Sequence, residues 1–536
     1  MAQTLGDITS TQSPVKVSRL RLIVLGVSLL SLGLSIWQLV IPGYLYFGDS
    51  GVYLGASIRL AYGVLPYKDF SFVQPPGILL LMSPVALLSR LIGSSNAFVL
   101  ARVISAFVTA INVGLLAWLV RHRGRVAMLI SGAGLALLPV ASFVSTGVRL
   151  EPYCLCFTLL ACVVIFSRAG EQGPLSRRFL ALGGVLFGAA VLVKLWALFP
   201  LVAMIICLVP RYRLRVFVLL AAAGGTFMAF SLPFFISAPG NFMSQVFIEQ
   251  IGRKSNFNDS LNIVPRLIDL TGFPATAIGP TSAEAVVGLC ALLCLVALAY
   301  WRRLEHESVD IFLLVATLLT VSALLTASVS YNYYYYFSAP FLLGLFGVSI
   351  ARLGQLVRKT KGALTLSESI RRFVVGASVV GGSILVFALL LYGTTFYNFY
   401  MGFWGEQLTT IAPITKLIPA GSCVVYIETF SGILSNRLDT GDPKCPEEVD
   451  PEGMWMSRGY ELIPATPSFV ALWKSYFEAA QYVVLRRSYV TQTDIPGAIN
   501  SSVIPWNAEL KIWFKSNYHL LYAKTGLVIY EKNTDT

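Results

Sequence analysis

The stretch PPGILLLMSPVALLSRLIG, residues 75–93, decides the topology of this chain. It is apolar enough to enter a bilayer, yet it opens with Pro-Pro-Gly and carries Arg90 near its end. A spanning helix needs about 20 apolar residues, and this run is short. Whether it crosses determines the side on which every later loop falls. Charge resolves the question. Basic residues cluster at Lys16/Arg19/Arg21, Arg121/Arg123/Arg125, Arg168/Arg177/Arg178, Arg211/Arg213/Arg215, Arg302/Arg303 and from Arg352 to Arg372. If 77–93 does not cross, all six clusters share one side, which the positive-inside rule makes cytoplasmic. If it crosses, the later five oppose the first. We therefore read 77–93 as a re-entrant or juxtamembrane helix.

Eleven spans then remain: 21–42, 98–120, 126–145, 152–168, 179–195, 196–210, 215–236, 283–301, 309–327, 335–351 and 373–396. The N-terminus is expected inside and the C-terminus outside. The chain is 56% hydrophobic and 12% charged, about half the charge of a soluble domain. Its net charge of +13 sits in short loops between apolar runs, an insertion signal rather than a nucleic-acid face. The run 21–42 is too long for a signal-peptide core and reads as a first span.

Beyond 397 the apolar runs shorten to strand length (CVVYIE, AQYVVLRRSYV, LLYAKTGLVIYEK), broken by Asp, Pro, Gly and Asn. We expect two domains: 1–396 in the membrane, and 397–536 as a small extracytoplasmic α/β domain. Cys423 and Cys445 fall in the latter, where an oxidising compartment permits a disulfide. The other six cysteines lie in or beside apolar runs and read as packing residues.

Unusual chemistry gathers in the segments expected outside. YFGDSGVYLGASIRLAYGVLPYKDFSFVQPPG, residues 46–77, follows the first span directly. Asp49 is placed either to cap the amphipathic helix it opens or to act as a general base at the edge of a low-dielectric cavity. Pro66, Pro75 and Pro76 impose non-helical backbone, which at membrane depth must be buried in protein or line a wet cavity. Arg149 and Glu151 sit where the third span turns into the fourth, suited to pairing, to helix ends or to orienting a substrate. Lys194 is an ionisable group among apolar neighbours, a site candidate unless it snorkels. Arg253 and Lys254 form a cationic pair fit for a phosphate or a lipid head group. SVSYNYYYYFSAPF, from residue 328, reads as an interfacial aromatic belt with one or two site residues among its tyrosines. P-loop, GxGxxG, GxSxG and zinc signatures are missing.

The order of these residues resembles the C-type glycosyltransferases (GT-C), in particular their protein O-mannosyltransferase and aminoarabinose transferase branch. Members carry an Asp in the first outer loop, an amphipathic juxtamembrane helix, and a Lys/His-Pro-Pro-Leu element opening another. Here the equivalents are Asp49, SGVYLGASIRL and QPPGILLLM, followed by Arg102, Arg149-x-Glu151 and Lys194. The resemblance covers about the first two hundred residues. Gln74 replaces the usual basic residue, Ser50 a frequent second acid, and Glu151 the commoner Asp.

The resemblance implies a GT-C fold and an inverting transfer from a polyprenyl-phosphate sugar to a cell-envelope glycan, lipoglycan, lipid or protein outside the membrane. Asp49 would be the base. Lys194, Arg253, Lys254 and Arg149 would bind the donor phosphate. Glu151, Tyr53, Arg59, Gln74, Tyr334 and Tyr335 would contact acceptor or sugar. No cofactor is obligatory, since the leaving phosphate is already a stabilised anion; a divalent metal is compatible but not implied. A flippase for lipid-linked sugars or a secondary transporter is the alternative.

Overall fold

The computed structural model describes residues 14–40, 48–169, 176–252, 263–272, 308–360, 411–440, 442, 444–458, 466–486, 503–524 and 526–533, with Leu293, Val296, Ala297 and Tyr300. Within it, the deciding stretch forms α3 (Gly77–Ile92), a 16-residue helix. At 1.5 Å per residue it is about 24 Å long, against roughly 30 Å for a hydrocarbon core. Gly77 begins it because a Cβ there would lie 2.5 Å from the Leu192 carbonyl oxygen. Gly93, at φ +85, is the whole joint to α4 (Ser94–Leu119), a conformation that costs glycine little. Before α3 comes α2 (Gly48–Ala61), which packs along it. The proline-rich connection between them is non-helical and largely buried, with Phe72 fully covered and Tyr67 held at φ +68.

Around α4 stand α1 (Pro14–Val40), α5 (Arg125–Leu137), α6 (Pro139–Ser145) and α7 (Leu150–Ala169). The expected span 126–145 is bent by 60° between α5 and α6, where Pro139 cannot continue the helix. Next come α8 (Arg177–Val193), α9 (Leu198–Tyr212) and α10 (Val216–Ser237). Gly184 and Gly188 let α8 lie directly on α10: Cβ atoms there would sit 2.3 and 2.4 Å from carbonyl oxygens of Leu219 and Ala223. Small residues four apart are a familiar device for close helix approach in lipid. Arg213, at φ +40, separates α9 from α10.

Among the described residues, five stretches are long and apolar enough to cross a membrane, or six counting the bent pair. They are Arg19–Val40, Ser94–Leu119, Leu150–Ser167, Leu195–Ser237 and Ser308–Thr326, the fourth including both α9 and α10. Of the eleven expected spans, 373–396 and nearly all of 283–301 lie outside the described residues. The run 335–351 becomes a 3-10 turn, Asn332–Phe337, and a helix, Ala339–Thr360.

The loops expected to be plain basic anchors are more than that. Asp310, with no exposed surface, accepts from His122 Nε2 at 2.9 Å, from Arg352 Nη1 at 3.0 Å and from Arg123. This cluster ties the end of α4 to the helices Ser308–Thr326 and Ala339–Thr360.

The C-terminal part forms a four-stranded sheet of order β1-β2-β4-β3, with β1 (Val424–Tyr426), β2 (Tyr482–Arg486), β3 (Tyr518–Lys524) and β4 (Leu527–Lys532). β1 and β2 are parallel and the other pairs antiparallel. Alternation divides the strands between two cores. Val425, Val483, Leu485, Val528 and Tyr530 pack against the helices Pro467–Ala479 and Ala508–Asn517, while Val424, Val484 and Ile529 face Ile414 and Ile418. A disulfide joins Cys423 to Cys445, with Cα atoms 5.4 Å apart.

This part is docked on the first loop. The helix Thr429–Leu434 lies against α2 so closely that a Cβ on Gly51 would be 2.6 Å from the Phe430 nitrogen. Arg59 donates to Leu438 O at 3.2 Å and pairs with Asp439 at 3.4 Å and with Glu447. The Ser71 N–H donates to Glu448 Oε2 at 3.1 Å. Burial raises the carboxyls of Asp439, Glu447 and Glu448 above their ordinary values.

Candidate active site

Asp49 stands in the first turn of α2. Its carboxylate does not cap the helix; it reaches across to two other elements. Arg149 Nη1 donates to Oδ2 at 2.5 Å, and the Tyr333 hydroxyl donates to the same oxygen at 2.7 Å. Oδ1 hydrogen-bonds to no described residue, and the side chain keeps 35% of its surface exposed. The arrangement orients the carboxylate and leaves one oxygen facing a cleft.

Arg149 lies in the non-helical joint between α6 and α7, which α4 pins from three positions. Arg102 Nε donates to Thr146 O at 2.7 Å, Asn112 Nδ2 to Pro152 O at 2.8 Å, and Ser105 bonds the Tyr153 hydroxyl at 2.9 Å. The Arg149 guanidinium sits between the rings of Phe143, 4.7 Å away, and Tyr333, 4.2 Å away, a cation–π setting.

Lys194 occupies the break after α8, in extended conformation. It does not snorkel. It is 4% exposed, and Nζ donates to Glu151 Oε1 at 2.5 Å. The rings of Trp196 and Tyr334 each lie 4.0 Å from Nζ. Arg149 and Glu151, two residues apart, thus pair not with each other but with Asp49 and Lys194.

The Tyr-rich run is a 3-10 turn, with about three residues per turn. Tyr331 and Tyr334 therefore share a face, and Tyr333 stacks on Tyr331 at 5.5 Å. These three line the cleft, with Asp49, Tyr53 and Gln74. Burial, reinforced by Asp49, pushes the Tyr53 and Tyr333 hydroxyls well above the usual phenol range, so both remain O–H donors at neutral pH. The cleft is open to solvent and spans about 480 Å³. Asp450, Glu452 and Gly453 also line it. The sequence reading passed over these and Tyr333; the acidic run PEEVDPEG after Cys445 was the available signal for the first group.

Not every candidate converges. Arg59 is turned away from the cleft into the Asp439/Glu447 contact. Tyr335 is 1% exposed, packs with Leu270 and Leu324, and bonds Ser330 at 2.8 Å. Arg253 and Lys254 lie outside the described residues. Among the described residues no group of three or more His, Cys, Asp or Glu side chains is placed to hold a metal ion.

A second cavity, of about 540 Å³ and almost wholly apolar, opens between α3, α7, α8 and α10. Leu80, Leu81, Phe157, Leu192, Val193 and Phe230 are among its walls. Val193, one of its walls, immediately precedes Lys194 in the chain.

The model of glycosyltransferase family 87 matches residues 72–328, just under half of the chain. Solved structures share the fold over nearly its whole length. ArnT from Cupriavidus metallidurans bound to undecaprenyl phosphate aligns with a TM-score of 0.55 and 14% identity, covering 98% of this chain and 99% of that one. The Archaeoglobus fulgidus oligosaccharyltransferase in its apo form gives 0.56 at 11% identity, covering 98% and 76%. The archaeal oligosaccharyltransferase AglB from the same organism, in complex with an inhibitory peptide and a dolichol-phosphate, gives 0.55 at 12%, covering 98% and 75%. No curated protein matches the chain in sequence. At such identities the likeness is one of fold: several apolar helices and a small sheet in the GT-C arrangement. The fold is thus GT-C-like, and residues 72–328 are similar to glycosyltransferase family 87.

Proposed function

We propose that the protein transfers a sugar from a polyprenyl-phosphate donor to a hydroxyl of a cell-envelope acceptor, inverting the anomeric carbon, with Asp49 as base. The observation that carries this reading is Asp49 itself: a carboxylate clamped through Oδ2 by Arg149 and Tyr333, with Oδ1 toward the cleft. Oδ1 takes the acceptor's proton as its oxygen attacks C1. The C1–O bond to the lipid phosphate breaks, and its electron pair leaves with the phosphate.

Lys194 and Arg149 are the cations to meet that phosphate. Each is already committed to a carboxylate, so the donor shares or replaces an ion pair. Arg253 and Lys254 complete the phosphate site in this reading. The base and the cation are bridged by neighbours, Tyr333 on Asp49 and Tyr334 on Lys194. The apolar cavity with Val193 on its wall suits an isoprenoid tail, and the neighbours caught with undecaprenyl phosphate and dolichol-phosphate support a lipid carrier. The disulfide fits a C-terminal region on the oxidising side of an inner or plasma membrane, with a cytoplasmic N-terminus.

The test is label transfer from a panel of polyprenyl-phosphate sugars by the purified full chain, wild type against Asp49→Asn. We expect turnover to fall about 10²–10⁴-fold while donor binding persists. Full activity in the variant sinks the role of Asp49. Donor binding with movement across liposomes and no transfer by wild type points to a carrier instead.

A further inference from the structure

Five arginines meet at the end of the helix bundle away from Lys194. α8 and α10 run parallel, because Gly184 faces Leu219 O and Gly188, one turn on, faces Ala223 O, also one turn on. Their first turns therefore lie side by side. Arg177 and Arg178 open α8. Arg211 stands in the last turn of α9, and the 3-10 turn Arg213–Arg215 leads from there into α10. Lys194 follows the other end of α8, about 25 Å away. All five arginines are exposed, and none forms an ion pair among the described residues. Other arginines nearby are engaged within the protein. Arg123 and Arg352 are bound to Asp310, and Arg121 donates to Trp118 O at 2.8 Å and to Ser167 Oγ, near the end of α7, at 3.4 Å.

Three further observations surround this group. Leu214, between two of the arginines, is 78% exposed, and Phe217 is 64% exposed, so apolar surface runs directly up to the charge. Neither α8 nor α10 has an acid in its first turn or a side chain capping its N-terminus, which leaves positive dipole ends uncompensated beside the guanidiniums. Tyr212, between Arg211 and Arg213 in sequence, is 8% exposed, and its hydroxyl has no hydrogen-bond partner among the described residues, a costly state for a buried polar group. Guanidiniums pair with phosphate oxygens two at a time, and the exposed leucine and phenylalanine suit acyl chains. A soluble phosphate uses only the first of these features. A phospholipid uses both.

We propose that these five arginines form one site for the head group of a membrane phospholipid with net negative charge, its acyl chains lying on Leu214 and Phe217. The site is separate from the transfer chemistry and does not rest on the transfer reading. Basic loops of this kind are ordinarily insertion signals. Here the parallel packing of α8 on α10 joins two such loops into one recognition surface, in the manner of basic pockets between membrane helices. Its occupant braces the helix pair that also walls the apolar cavity.

The test uses the purified full chain in nanodiscs of phosphatidylcholine, with and without phosphatidylglycerol. It is read by melting temperature and by mass spectrometry of the lipid retained on transfer to detergent. Wild type should retain phosphatidylglycerol over phosphatidylcholine and melt higher when it is present. Glycerol 3-phosphate added to phosphatidylcholine discs should have no effect. Arg177→Gln/Arg178→Gln and Arg213→Gln/Arg215→Gln should each cut the preference at least about tenfold, since a basic residue at an anionic surface is worth about fivefold. Combined, they should cost less than the product of the two, because both pairs hold one head group. The charge-matched control is Arg19→Gln/Arg21→Gln, which removes two exposed arginines from α1, a helix packed on α4 and α5; it should leave the preference nearly unchanged. Equal retention of the two lipids, a preference that survives both double variants, or losses that multiply overturns the proposal. So does an equal loss in the α1 variant, which means a diffuse field, or an equal response to glycerol 3-phosphate, which means a soluble anion.

Discussion

Two buried ionic clusters sit toward opposite ends of α4, a helix of 26 residues and thus about 39 Å long. One gathers Asp49, Arg149, Glu151 and Lys194; the other gathers Asp310, His122, Arg123 and Arg352. Both join acidic and basic side chains from separate helices, yet they differ in closure. Asp310 has no exposed surface and both its oxygens are engaged by guanidiniums, Oδ1 by Arg123 and Oδ2 by Arg352. Asp49 keeps a third of its side-chain surface and an oxygen toward a cleft, and its cationic neighbours are slotted between aromatic rings. A carboxylate saturated on every side holds helices together. One saturated on a single oxygen is oriented and can still react.

Paired substitutions break or sharpen that contrast. The largest effect is expected from Asp49→Asn, with the roughly 10²–10⁴-fold loss of transfer given above and little change in melting temperature. A melting loss comparable to that of the other cluster would make Asp49 structural. Lys194→Met should cost about 10²–10³-fold in transfer and also stability, because Glu151 is left buried without its partner. Adding Glu151→Gln should restore the melting temperature and not the activity; recovery of both would show that the lysine serves only the pair.

Asp310→Asn should behave in the opposite manner. It leaves the guanidiniums of Arg123 and Arg352 around a neutral amide, and stripping a buried pair of one partner costs about 3–5 kcal/mol. We expect a clear drop in melting temperature, with the protein that remains folded turning over normally. Lost turnover at an unchanged melting temperature would place function at that end too.

The smallest effect concerns pH. Asp439, Glu447 and Glu448, at the contact between α2 and the C-terminal region, have carboxyls raised by burial above ordinary values of 3.8 and 4.5. The folded state then holds these protons more tightly than the unfolded chain. Stability from these groups is present at acid pH and is lost as pH rises through their raised values. Limited proteolysis of the C-terminal region should therefore be slower near pH 5 than near pH 7. The reverse slope would mean that the Arg59 ion pairs outweigh desolvation.

Much of the membrane part was legible because its signals are local. Apolar length marks α4 and α7. Gly63 and Gly93 stop α2 and α3, and Pro-Pro-Gly starts α3, as the structure has them. The strand-length apolar runs appear as β1 to β4. Less legible was the bend at Leu138–Pro139, since one apolar run covers both helices. Arg59 misled because a cation on an amphipathic helix looks the same whether it faces a substrate or a docked carboxylate. Tyr334 and Tyr335 were indistinguishable until the 3-10 turn placed one in the cleft and one in the core.

The sequence by itself determined an apolar, polytopic chain with its chemistry gathered at helix mouths, because hydropathy, basic clusters and turn residues act over a few residues at a time. Only the tertiary structure decided who pairs with whom. Asp49 and Arg149 are separated by 100 positions, and Tyr333 lies 284 positions from Asp49. No periodic pattern spans such distances. The partners are set by helix packing around α4, by glycines that let backbones touch, and by a C-terminal region that places Asp450 and Glu452 at a cleft begun four hundred residues earlier.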